Sequence, residues 1–228
     1  MTMASAPAFS VGEAPLSRLR RIRLVPVIVI EDPENAVPLA RALAAGGLPC
    51  IEITFRTPRA ADALQRIRDE CPDVLAGAGT VLNPAQAAVA HRAGAQFVVA
   101  PGFGPAVVDY CLEHSIAVFP GIATPTELEA ALARELSVVK FFPAETLGGI
   151  AYLKAMAAPY GSDVEFMPSG GITLSNIGDY LSFPRVVSCG GSWIAPADLI
   201  ATKQFDRIRT EAAKAVATVS QFPGAPAA

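Results

Sequence analysis

The chain has 228 residues, 52% of them hydrophobic and 17% charged, with a formal net charge of −3. That length and apolar content suit a single domain, residues 1–228, built on one large core. The slightly negative balance removes the electrostatic case for a nucleic-acid or anionic-membrane partner, so an anionic ligand has to be held by a local cluster of donors.

The N-terminal residues lack the charged and apolar regions of a secretory signal, and no apolar run reaches the roughly 18 residues that a membrane-spanning helix needs. Cys50, Cys71, Cys111 and Cys189 show no C-x-x-C pairing and read as reduced packing residues, which points to the cytoplasm. Residues 1–14 and 222–228 are expected to be flexible. Arg18, Arg20, Arg21 and Arg23 alternate with Leu16, Leu19 and Ile22, the pattern of an N-terminal helix with a solvated basic face and an inward apolar one. A transit peptide is the other reading of that cluster.

Val25 to Ile30 is the first predicted strand, followed by a helix from about Asn35 to Ala45 that stops at Gly46-Gly47. Further strands follow at Cys50 to Phe55, Val74 to Ala78, Phe97 to Ala100, Ala117 to Phe119, Val138 to Phe142, Glu165 to Pro168 and Val186 to Cys189. Helical segments such as Pro84 to Ala93, Pro125 to Glu135 and Phe205 to Val219 lie between or after them. Strand ends recur at intervals of about 19 to 27 residues, the length of one βα unit, and eight such units compose an α/β (β/α)8 TIM barrel with an extra N-terminal helix. A doubly wound open sheet uses the same units. The absence of G-x-G-x-x-G after the first strand counts against it.

In a barrel the reacting groups sit at the C-terminal ends of the strands. Lys140 is the one cation inside the β-branched and aromatic run Val138 to Phe142. Alternation puts it on the face of Val138 and Phe142, opposite Val139 and Phe141. If that face meets protein, desolvation favours the neutral amine, which can attack a carbonyl to form a Schiff base. An edge-strand lysine, or one whose head reaches water past an apolar stem, is the structural alternative. On the second strand the same alternation places Glu52, Thr54 and Arg56 together, away from Ile51, Ile53 and Phe55. Glu52 and Arg56 suit either an acid/base site or a structural ion pair.

Small residues at Gly77-Ala78-Gly79-Thr80, Ala100-Pro101-Gly102 and Pro120-Gly121 leave room for a ligand or serve tight turns. The late ends Pro168-Ser-Gly-Gly-Ile172 and Cys189-Gly-Gly-Ser-Trp193 are more specific. Loops after the seventh and eighth strands commonly hold phosphate, because glycines let backbone N–H groups approach its oxygens. A short helix near Pro196 to Leu199 could complete that site. His91 and His114 fall in helical segments away from the expected active face, and no metal is expected.

From about Val25 to Ile208 the chain resembles the bacterial 2-dehydro-3-deoxy-phosphogluconate (KDPG) aldolases, also called 4-hydroxy-2-oxoglutarate (KHG) aldolases. The resemblance rests on Glu52-Ile-Thr-Phe-Arg-Thr57, Gly77-Ala-Gly-Thr-Val-Leu-Asn83, Val139-Lys-Phe-Phe-Pro-Ala-Glu145, Pro168-Ser-Gly-Gly-Ile172 and Gly190-Gly-Ser-Trp193, in the family's order. It implies a class I aldolase on a (β/α)8 barrel, a homotrimer without cofactor, that cleaves a phosphorylated 2-keto acid to pyruvate and glyceraldehyde 3-phosphate. By the same resemblance Lys140 is the Schiff-base lysine and Glu52 the general acid/base, while Arg56 and Thr80 hold the pyruvate carboxylate. Pro101, Phe142 and Ser169 shape the pocket, and Gly170, Gly171, Gly190, Gly191 and Ser192 form the phosphate site. Ser169 stands where the family is expected to carry threonine, which bears on preference between the gluconate and galactonate epimers. The competing functions are a galactonate-series aldolase and a phosphate-binding barrel epimerase or synthase that forms no imine.

Overall fold

The computed structural model describes residues 14–222. Of the ends expected to be flexible, residues 1–14 and 222–228, all but Ala14 and Phe222 lie outside that range. The fold is mixed α/β, with a curled parallel sheet and helices packed against it. Helix α1 (Pro15–Ile22) leads into β1 (Leu24–Ile28), α2 (Ala36–Ala45) and β2 (Cys50–Thr54). Next come α3 (Ala60–Glu70), β3 (Leu75–Gly79), α4 (Pro84–Arg92), β4 (Phe97–Val99), α5 (Pro105–Glu113) and β5 (Ala117–Phe119). A two-residue strand β6 (Gly121–Ile122), α6 (Pro125–Leu132), β7 (Val138–Phe141), α7 (Gly149–Ala157) and β8 (Glu165–Pro168) follow. The chain then forms α8 (Ile177–Leu181), β9 (Cys189–Gly191), α9 (Ala197–Ala201) and α10 (Phe205–Val219).

Helix starts follow their local chemistry. Asn83 caps α4 through its side chain, and Thr124 with Glu127 makes a capping box on α6, with proline in the first turn of each. Both devices satisfy N–H groups that have no partner within the helix. Gly46 ends α2 as expected, for a reason beyond the turn: a Cβ there would lie 2.7 Å from Ala212 Cβ on α10, so the glycine lets the two helices meet.

Two parallel sheets are present, in the orders β5-β4-β3-β2-β1-β9 and β6-β7-β8. The predicted fifth strand, Ala117 to Phe119, is β5, and beyond it the ladder breaks at Pro120, which has no N–H to donate, and resumes as β6. The Pro120 carbonyl still accepts from Lys140 N–H at 2.9 Å, so β5 and β6 continue one path. The isolated bridges Phe166↔Val186 and Ser169↔Gly190 link the β8 side to the β9 side.

The predicted eighth strand ran from Val186 to Cys189, whereas β9 starts at Cys189 and includes Gly190 and Gly191. The β-branched pair Val186-Val187 misplaced it. They lie beside Phe166 of β8, with Val187 N–H donating to Phe166 O, while the ladder with β1 begins at Leu24↔Cys189. Glycine enters that ladder because its neighbours are close. A Cβ on Gly191 would stand 1.7 Å from the Trp193 ring, and one on Gly190 would stand 2.9 Å from Ser169 Oγ.

The arginines of α1 are not a solvated face. Arg21 is exposed, but Arg18 and Arg23 are buried along with Leu19 and Ile22. Arg18 donates to Asp73 O just before β3, Arg20 pairs with Glu165 at the start of β8, and Arg23 donates to the carbonyls of Leu181 and Phe222. Asp73 and Glu165 lie at the entry ends of β3 and β8, so α1 covers that side of the sheet.

The interior face is filled from the same side. A Cβ on Gly77 would fall 2.3 Å from the Phe97 ring, whose centroid is 6.1 Å from that of Phe119. Gly77 and Gly79 share this face with Glu52 by alternation. Open space therefore lies at the exit ends of the strands.

Candidate active site

A cavity of about 140 Å³ opens at those exit ends, lined in part by Glu52, Arg56, Thr80, Lys140 and Phe142. Lys140 sits on β7 between Gly121 of β6 and Met167 of β8, so it is not on an edge strand. It is 7% exposed, and Val139 and Phe141 on the opposite face are fully buried. Phe141 stacks on Tyr152 of α7, which shows that this opposite face meets the helices. Lys140 Nζ lies 4.9 Å from the centroid of the Phe142 ring, whose π face attracts a cation. The alternation legible in the sequence thus places Lys140 and Phe142 on one wall.

Glu52 occupies the wall formed by β2, between Val27 of β1 and Gly77 of β3. It is 3% exposed, and its Oε1 has no hydrogen-bond partner. Burial pushes its carboxyl above the usual carboxylate range, while the positive charges of Lys140 and Arg56 pull it back. A carboxyl that is costly to ionise yet faces a cation is suited to taking and returning a proton. Its space depends on Gly79: a Cβ there would lie 2.0 Å from Glu52 Oε1. The small residues of β3, read from the sequence as room for a ligand or as turns, instead make room for Phe97 and Glu52.

Arg56 is exposed at the rim and donates from Nε to Thr80 Oγ1 at 3.3 Å. Thr80 itself has φ of 57°, a left-handed conformation that β-branched residues avoid and that costs on the order of 1–3 kcal/mol. The next residue is anchored, since Val81 N–H donates to Val99 O. The cavity's far side is formed by Ser169, Gly170, Gly171, Gly190, Gly191 and Ser192. Gly170 and Gly171 have φ of 95° and 85°, values that favour glycine. Those two loops therefore face the same space as Lys140 and Glu52.

Pro101 is the exception among the expected site residues, because it is not among those lining this cavity. Its backbone carbonyl packs on the glycine that opens β6, where a Cβ on Gly121 would come within 2.2 Å of it. The residue after β4 is thus committed to the corner between β4 and β6. Val27, Val29 and Ile172 line the cavity and were not singled out from the sequence. The alternation of Val25, Val27 and Val29 was the available signal. His91 is on α4 and His114 just beyond α5, their rings edge to face at 6.4 Å, and neither lines the cavity.

Comparison with known proteins adds to this geometry. The family profile described as "Aldolase: KDPG and KHG aldolase" matches residues 16–211. The 2-dehydro-3-deoxy-phosphogluconate aldolase of Treponema pallidum (strain Nichols) is 56% identical over 190 residues, covering 83% of this chain and 90% of the relative. The KHG/KDPG aldolase of Escherichia coli (strain K12) is 46% identical over 193 residues, 85% of this chain and 90% of that one. Among solved structures, KDPG aldolase from Legionella pneumophila, with pyruvate captured at low pH as a covalent carbinolamine intermediate, superposes with a TM-score of 0.84. That structure is 38% identical, with 88% of this chain and 97% of the other covered.

Proposed function

The chain belongs to the family of KDPG and KHG aldolases, and from that premise we propose how its residues perform the reaction. The protein is a class I aldolase, a lyase that cleaves 2-dehydro-3-deoxy-6-phosphogluconate to pyruvate and glyceraldehyde 3-phosphate through a lysine Schiff base. The observation that carries the residue assignment is that Lys140 and Glu52, both buried, face one cavity whose other wall is the pair of glycine loops.

Lys140 Nζ, unprotonated, attacks the C2 carbonyl to give a carbinolamine. Loss of water leaves a protonated imine, which is an electron sink. Glu52 accepts the proton of the C4 hydroxyl, directly or through a water, as the C3–C4 bond breaks. The aldehyde departs, and the bond's electrons form an enamine on C3 instead of a bare carbanion. Glu52 then returns the proton to C3, and water hydrolyses the imine to release pyruvate and the free lysine.

Arg56 and Thr80 bind the substrate carboxylate at the rim, and Phe142 and Ser169 bound the pocket. Backbone N–H groups of Gly170, Gly171, Gly190 and Gly191, with the Ser192 hydroxyl, hold the phosphate. Cleavage of 4-hydroxy-2-oxoglutarate to pyruvate and glyoxylate uses the same imine without the phosphate contacts.

The sheet completes a (β/α)8 barrel with α1 as an extra N-terminal helix, a reading supported by the bridges between the β8 and β9 sides. The chain is one barrel domain, assembles as a homotrimer and works in the cytoplasm. Among the described residues no helix is long and apolar enough to cross a membrane, and the four cysteines are unpaired and buried. Borohydride reduction with pyruvate tests the assignment: one reduced pyruvate adduct should map to Lys140. An unlabelled protein that still turns over substrate would remove the imine from the mechanism. Sedimentation equilibrium tests the trimer.

A further inference from the structure

Glu145 and Tyr180 take no part in the steps above, yet they join the two loops that bracket the cavity. Glu145 lies in the turn between β7 and α7, shortly beyond Lys140. Its N–H donates to Gly170 O at 3.0 Å, and the preceding Ala144 N–H donates to Ser169 O at 2.9 Å. Its side-chain stem lies against Gly171, where a Cβ would be 2.6 Å from both Glu145 Cβ and Cγ. Gly171, at φ of 85°, therefore tolerates no side chain on two separate counts. The carboxylate accepts a hydrogen bond from the hydroxyl of Tyr180, a residue of α8 that is 1% exposed.

The same short helix grips the loop a second time. Asn176, at the start of α8, donates from Nδ2 to Gly171 O at 3.0 Å and accepts from Thr173 N–H at 2.7 Å. Gly171 is thus held through its Cα by Glu145 and through its carbonyl by Asn176, while Tyr180 ties Glu145 back to α8. A frame of this kind fixes the spacing between the strand that carries Lys140 and the glycine loop.

We propose that Glu145 and Tyr180 are positioning residues that set the distance between Lys140 and the phosphate-binding loop, and so adjust affinity for phosphorylated substrates without touching them. The proposal rests on the aldolase reading and deepens it. A rigid spacing matters because both ends of the substrate are held at once, and a misplacement of about 1 Å can cost on the order of a hundredfold.

The test uses the full-length protein with Tyr180→Phe, Glu145→Ala and Glu145→Gln. Steady-state kinetics would be measured with 2-dehydro-3-deoxy-6-phosphogluconate and with 4-hydroxy-2-oxoglutarate, alongside borohydride trapping with pyruvate. Tyr180→Phe and Glu145→Ala should raise KM for the phosphorylated substrate about tenfold, with kcat, trapping and KM for the short substrate held within about twofold. Glu145→Gln keeps an acceptor oxygen and should recover most of the loss. Equal losses on both substrates, no loss on either, or a glutamine variant no better than the alanine one would overturn the positioning role. If the unmodified protein is not trapped by pyruvate, the aldolase reading itself falls; trapping with no KM split removes only the proposal.

Discussion

Gly79→Ala adds a single methyl group at a site where no backbone strain is at issue, and it isolates the packing of Glu52. The new Cβ would stand 2.0 Å from Glu52 Oε1, 2.6 Å from Cδ and 2.7 Å from Cγ. A carbon–oxygen contact settles at about 3.3–3.6 Å, so the carboxyl oxygen must retreat by roughly 1.3–1.6 Å. A displacement of about 1 Å at a reacting group is worth on the order of a hundredfold in rate. Overpacking of a buried site costs about 1–3 kcal/mol, or a fall in Tm of about 2 to 12 °C for a chain of this size. The expected result is a loss of about a hundredfold both in deuterium exchange into the pyruvate methyl group and in kcat, while borohydride still traps pyruvate on Lys140. Exchange by NMR, trapping by mass spectrometry and a melting curve on one preparation separate these effects. Exchange and cleavage within threefold of the unmodified protein would refute the argument, because the carboxyl would then work from a position other than the one Gly79 allows.

Other outcomes follow from the same site. Lys140→Met should abolish trapping and turnover, since Lys154, Lys203 and Lys214 lie on helices or in turns away from the cavity; an adduct on that variant, mapped by mass spectrometry, would move the nucleophile. Glu52→Gln should preserve part of the imine formation and slow cleavage by about 10² to 10⁴, read from single-turnover rates. The same variant has a stability signature. Folding raises the Glu52 pKa above its ordinary value of 4.5, so the native state holds the proton more tightly and stability falls as pH rises from there through the raised value. Denaturant midpoints should therefore decline with pH more steeply for the unmodified protein than for Glu52→Gln, and parallel curves would contradict the raised pKa. Ser192→Leu should lower kcat/KM for the phosphorylated substrate by about ten- to a hundredfold and spare 4-hydroxy-2-oxoglutarate. Equal losses would take the loop after β9 out of phosphate recognition.

Strand positions were legible because β-branched and aromatic runs separated by turn residues are a local signal. Cys50, Glu165 and Phe97 begin their strands where expected. The facing of Lys140 with Phe142, and of Glu52 with Arg56, followed from the two-residue period alone, since alternation needs no knowledge of what lies across the sheet. The late glycine pairs were visible because backbone that takes positive φ, as at Gly170 and Gly171, or that meets neighbours too close for a Cβ, as at Gly190 and Gly191, leaves glycine in the sequence.

Contacts between segments distant in sequence were not legible, because the curl of the sheet decides which residues meet. Gly79 looked like a turn or ligand space, and only the packing of β3 beside β2 shows that it accommodates the Glu52 carboxyl. Pro101 sits at a strand end like the true lining residues, but its carbonyl is turned onto Gly121. The arginines of α1 and the one that follows it have the spacing of a solvated face, yet the carbonyls of Asp73, Leu181 and Phe222 and the carboxylate of Glu165 draw Arg18, Arg20 and Arg23 inward. The link from Glu145 to Tyr180 spans 35 residues and leaves no periodic trace. The chemistry of this protein is written locally, in which residue types occupy strand ends, whereas the distances at which that chemistry operates come from tertiary packing, which no local pattern encodes.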